Sequence, residues 1–171
     1  MQNIKTVKSV KLEEAKEIAD KIIKQLAPYC NRIEVAGDIR GKRKEVEIIE
    51  IVAIPKICES GGLNEGLLSI INKWKKIEDC FYYNFTERML PSGIKLKLHF
   101  AQTDNWGLIQ ILSTGNGEYI YRCIAAGWSI YGYEFTGNHL CKGNKKIVLL
   151  EEEDLFNLIE KPYEEPELRY L

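Results

Sequence analysis

The side chains able to do chemistry in this chain are few and widely spaced. Two histidines, His99 and His139, and five cysteines, Cys30, Cys58, Cys80, Cys123 and Cys141, are spread over the sequence with no C-x-x-C. That spacing argues against a zinc site, and an odd, unpatterned set of thiols suits a reducing compartment. Cys123 and Cys141 read as packed thiols. A basic run, Arg40, Lys42, Arg43 and Lys44, has the charge to meet phosphate groups. Glu45 and Glu47 beside it dilute the field, and a solvated turn is the plainer reading. Thr114-Gly115-Asn116-Gly117 sets two glycines at a helix start, where free backbone N–H groups can receive an anion. The alternative is a tight turn between two helices. His99 reads as a hydrogen-bonding residue near a sheet end. Trp74, Trp106 and Trp128 read as core or lobe-border residues.

Apolar spacing indicates the elements that must hold these groups. Leu12, Ala15, Ile18, Ala19, Ile22, Ile23 and Leu26 recur every three or four residues, which predicts a helix over 9–26, capped by Ser9 and ended by Pro28. Strands are expected at 32–36, 46–54, 80–90 and 94–100, the last two joined by the turn Pro91-Ser92-Gly93. A glycine-containing loop at 58–66 precedes a short helix carrying Leu67, Leu68, Ile70, Ile71 and Trp74. From residue 106 the pattern turns helical, with a break at 114–117, and an acidic helix start at Glu151-Glu152-Glu153-Asp154 suits the helix dipole. These patterns predict an α+β chain, with a sheet-bearing part over 1–105 and a smaller helical part over 106–171.

Four stretches, in order, resemble the palm and thumb of family X (polymerase beta-like) DNA polymerases. RIEVAGDIR (32–40) is similar to the strand and turn that cradle an incoming triphosphate. KEVEIIEIVAIP (44–55) is similar to the strand bearing two metal-binding carboxylates, and LPSGIKLKLHF (90–100) to the hairpin bearing a third. Residues 104–118, followed by EEEDLFNLIEKPYEEPELR (151–169), resemble the thumb, and this last segment is the most specific of the four. The resemblance implies a nucleotidyltransferase-type palm, a mixed sheet of four or five strands with helices on one side, and a small thumb subdomain. The family's N-terminal lyase domain has no counterpart.

The resemblance also implies where catalysis should sit, and there the chain departs from the pattern. The family's transfer reaction uses two metal ions, and Mg²⁺ wants hard oxygen ligands. The three metal-ligand positions carry Ile48, Glu50 and Lys97, so an expected charge of about −3 becomes about 0, with little attraction left for a divalent cation. Glu45 and Glu47 should point to the other face of the strand. In the cradle, Gly37 and Arg40 are kept, Asp38 stands for a serine and Gly41 for the second arginine. In the thumb turn, Asn116 stands for a serine and Ile120 for an asparagine, beside Thr114 and Gly115. Glu50 and Lys97 are expected either to pair across adjacent strands or to lie separately in solvent.

The sequence therefore predicts a catalytically degenerate relative of these polymerases, without an intact catalytic residue or metal site and with no cofactor. It would serve as a binding or assembly module for a protein partner or nucleic acid. The alternatives are an active minimal polymerase adding nucleotides to DNA ends or gaps through an atypical Mg²⁺ site, and an enzyme completed by another chain's carboxylates. With a net charge of −1 over 171 residues, no strong electrostatic footprint for DNA stands out. No apolar run long enough to span a bilayer occurs, and a soluble intracellular (cytoplasmic) protein is expected.

Overall fold

The computed structural model describes residues 8–80 and 84–171. A two-residue strand, β1 (Val10–Lys11), leads into α1 (Leu12–Leu26), which buries Ala15, Ala19, Ile22 and Leu26 along one face. The predicted Ser9 cap does not form: Lys11 holds the N-cap position, and the Ser9 hydroxyl donates to Glu45 at 3.2 Å. The reason is pairing, since β1 lies against β3 (Glu45–Val46) and is drawn into an extended conformation.

Five strands make the sheet: β2 (Cys30–Val35), β4 (Ile48–Pro55), β5 (Lys75–Cys80), β6 (Phe85–Met89) and β7 (Lys95–Phe100), in the order β2-β4-β7-β6-β5. The central pair, β4 and β7, is parallel and the others are antiparallel. The sheet is thus mixed and the chain α+β. The turn joining β6 and β7 depends on Gly93, at φ +84°, where a side chain would be strained.

Two departures from the sequence expectation have local causes. The predicted strand over 46–54 is divided by a bend at Glu47, so Val46 and Ile49 both reach the core. Strict alternation therefore stops at the bend and does not extend to Glu45 and Glu47. The predicted strand over 80–90 begins at Phe85, residues 81–83 lying outside the described residues, and β5 precedes it. Lys-Lys-Ile-Glu-Asp-Cys gave no alternation because β5 is an edge strand, mostly exposed, and charged edges discourage pairing with other chains.

On one face of the sheet, α1 and α3 (Glu65–Ile71, capped by Asn64) cover Ile49, Ile51, Leu96 and Leu98. The residues after the sheet form α4 (Trp106–Leu112), α5 (Gly117–Tyr119), a π-helical stretch over Ile120–Ala125 and α6 (Ala126–Ile130). A small three-stranded sheet follows, of β8 (Glu134–Phe135), β9 (Leu140–Lys142) and β10 (Lys145–Lys146), and then α7 (Glu152–Leu158). These elements enclose a second core of Leu108, Ile111, Tyr119, Ile124, Trp128, Leu155 and Phe156. A third cluster, Ala36, Val52, Ala101, Trp106 and Ile109, joins the two across the sheet's other face. Helices α1 and α3 share one side as expected, whereas α4 packs on the opposite one. Trp106 and Trp128 are buried and Trp74 is half-buried against the first core. Among the described residues no helix is long and apolar enough to cross a membrane.

Candidate functional site

Alternation along β4 sends Ile49 and Ile51 into the first core and leaves Ile48 and Glu50 on the opposite face. In the parallel register Ile48 lies opposite Lys95, Glu50 opposite Lys97 and Val52 opposite His99. Ile48, Glu50 and Lys97 therefore share one row on this face, the first two by alternation along β4 and Lys97 through the register of β7.

The interactions within the row differ from the pairing of Glu50 with Lys97 considered from sequence. The Glu50 carboxylate meets His99 Nε2 at 3.0 Å, with both side chains largely covered. Lys97 turns away and sets its Nζ 4.0 Å from the centre of the Phe85 ring, a cation–π contact. Lys95 lies 3.7 Å from Glu87 on β6. His99 is thus Glu50's partner, a role that a lone histidine in an alternating strand did not announce.

This row does not fit a pair of divalent cations. A two-metal clamp needs several hard oxygen ligands converging on each ion. Here Glu50, already engaged by an imidazole, and Glu87, beside Lys95, stand among an aliphatic side chain and two ammonium groups. Among the described residues, no three His, Cys, Asp or Glu side chains converge to hold a metal ion.

The turn after β2 forms the next wall of the site. Gly37 opens α2 (Gly37–Arg40) at φ +55°, and a Cβ there would lie 2.2 Å from a carboxylate oxygen of Glu50. Glycine is required twice over, by backbone and by proximity. The turn is fastened by Ala36 N donating to Glu50 O and Gly37 N to Ser113 O, both at 2.8 Å. Burial, followed by the Glu50 charge, pushes the Asp38 carboxyl above its ordinary value, against the opposing influence of Tyr170 and Arg43. The Tyr170 hydroxyl interacts with Asp38, and burial, followed by the charges of Asp38 and Glu50, pushes it up to about 12. Tyr170 also fills the space over Gly41, where a Cβ would lie 2.3 Å from its hydroxyl oxygen.

The basic run is a solvated turn over Lys42, Arg43 and Lys44, all exposed, whereas Arg40 is drawn inward. Arg40 makes two hydrogen bonds of 2.6 Å to the carboxylate of Glu152, at the start of α7. Glu152 also accepts from Arg169 at 2.7 and 3.2 Å and from the Tyr163 hydroxyl at 3.1 Å. Arg169 is fully buried between the rings of Phe156 and Tyr163 and donates to the Glu164 carbonyl as well. Burial alone would raise the Glu152 carboxyl, but the hydrogen bonds of Arg40 and Arg169 prevail and bring it down to about 2. Lys42 pairs with Glu167, and Arg43 lies 4.6 Å over the Tyr170 ring. Three of the four cations in the run are therefore engaged by the C-terminal segment.

The same segment occupies the turn after α4. Thr114 is buried, within 3.5 Å of Arg40. Gly115, at φ +110°, packs where a Cβ would lie 2.6 Å from the Arg169 carbonyl. Asn116 caps α5 by accepting from Tyr119 N at 2.9 Å, and its own amides donate to the carbonyls of Arg169 and Leu171 at 3.0 and 2.8 Å. Ile120 packs against the second core. The turn after β2 and the turn over 114–117 are thus brought together, with the C-terminal segment packed against both. Neither a comparison with models of known protein families nor a search of curated proteins finds a match to this chain.

Proposed function

We propose that this chain is a catalytically silent relative of family X DNA polymerases, acting as a binding or assembly module. The observation that carries this reading is the Glu50 row. One carboxylate, held by His99, stands where the resemblance calls for three, with Ile48 and Lys97 at the other two positions. Nucleotidyl transfer by two metals has no ligand set there.

The choice of partner class follows from the cations. Phosphate recognition needs lysines and arginines free to replace counterions. Arg40 is committed to Glu152, and the exposed Lys42 and Arg43 lie against Glu167 and Tyr170, which dilutes the basic surface. With a net charge of −1, this favours a protein partner over DNA.

Primer extension with Mg²⁺ and with Mn²⁺ tests the silent centre, with the Ile48→Asp/Lys97→Asp double variant assayed beside the unmodified protein. No incorporation by the unmodified protein is expected, and incorporation would overturn the reading. Binding to gapped DNA against salt tests the partner class. A steep loss of affinity with rising salt would identify a nucleic-acid module instead.

A further inference from the structure

On the sheet face opposite Glu50, a cavity of about 720 Å³ opens where β4 and β7 end. That size suits a small organic ligand. Its walls are apolar, with Ile57, Leu63, Leu68, Ile71 and Phe100 among them. Asp79, Thr86 and Arg88 come to it from β5 and β6, and the neutral Asn31, Asn72 and Gln102 also line it. Thr86 pairs with Leu98 and Arg88 with Leu96 across β6 and β7, so both alternate away from Glu87 and towards the apolar side.

Arg88 is buried, and its hydrogen bonds run through one arm of the guanidinium. Nη1 donates to Asp79 Oδ1 at 2.7 Å and to the carbonyls of Glu87 and Glu78 at 3.1 and 3.4 Å. Nε is buried without an acceptor among the described residues. An arginine kept only to neutralise Asp79 would be expected to use both arms of its fork. Asp79 needs nothing more, since it also accepts from Thr86 at 2.5 Å and pairs with Lys76 at 2.5 Å. Two cations facing one carboxylate leave the cluster with a single positive charge.

We propose that this cavity binds an amphipathic monocarboxylate, with its apolar body along Ile57, Leu63, Leu68 and Phe100 and its carboxylate on the Arg88 guanidinium that lines it. A neutral head group would leave the charge unanswered, and a dianion would exceed it and meet Asp79. The site is separate from the Glu50 row and does not depend on the function proposed for it.

Calorimetric titration with decanoate and with decanol, below the concentrations at which either aggregates, tests the assignment. Saturable binding at one site per chain is expected, with decanoate at least about tenfold tighter than decanol, the effect of one charge-assisted hydrogen bond. Arg88→Met should abolish that preference, and Leu68→Trp, which fills the cavity from its rim, should weaken both ligands. Should Arg88→Met fail to fold, the unmodified protein and Leu68→Trp decide between them. Absence of saturable decanoate binding, equal affinity for decanoate and decanol, or an ineffective Leu68→Trp would each overturn the proposal.

Discussion

The Glu152 carboxylate sits between two guanidinium groups in a site almost closed to water, and each charge there depends on the others. Removing the anion leaves Arg40 and Arg169 buried without a counter-charge, so Glu152→Ala should cost about 3–5 kcal/mol, measured by urea unfolding. The group is also a source of pH dependence. Its folded value of about 2 lies below the ordinary carboxylate value, so its stabilisation is present above about pH 4.5 and lost as pH falls towards 2. At 1.36 kcal/mol per unit this contributes about 3 kcal/mol at neutral pH. Unfolding at pH 7 and pH 3 should therefore differ less in Glu152→Gln than in the unmodified protein. Gly37 is the other position with little latitude. Gly37→Ala combines a left-handed backbone with a contact on Glu50, and a loss of about 1–3 kcal/mol is expected in the same assay.

Helices α4 and α7 meet at Gly107, where a Cβ would lie 2.1 Å from the Glu151 carbonyl oxygen. That neighbour is backbone and cannot turn aside, so Gly107→Ala should destabilise by at least about 2 kcal/mol. Gly117 opens α5 with nothing within 4 Å of its added Cβ, and Gly117→Ala should change thermal stability by less than about 0.5 kcal/mol. The contrast separates a packing role from mere helix propensity. At this scale much was legible in the sequence, because α1, β4 and the β6–β7 hairpin each carry a long periodic signal or a turn residue in place. β5 was not, since an exposed edge strand has no buried face to alternate. The small sheet of β8, β9 and β10 was not, since its strands are two or three residues long. Lys97 was placed beside Glu50 only by the resemblance, whereas the shared face of Ile48 and Glu50 was legible through strand parity. His99 as the partner of Glu50, and the capture of Arg40, Lys42 and Arg43 by residues 152–170, were not, because they join segments far apart in the chain. Local pattern places a side chain on a face and says nothing of which distant residue will meet it.

Taken whole, the molecule is tied across its three apolar clusters by the Arg40–Glu152–Arg169 contact and by the packing of Trp106. The parallel alignment of β4 with β7 has a kinetic consequence. The β6–β7 hairpin can close early, on the microsecond scale of such turns. Laying β4 against β7 instead requires closing the long chain between them before any contact rewards it. Glu50 and His99 meet only once that closure is complete. In stopped-flow measurements Gly93→Ala should therefore slow folding, while Glu50→Gln should mainly speed unfolding and leave the folding limb nearly unchanged. Glu50 and His99 would then be among the last to find one another as the chain folds, and among the first to part when it unfolds.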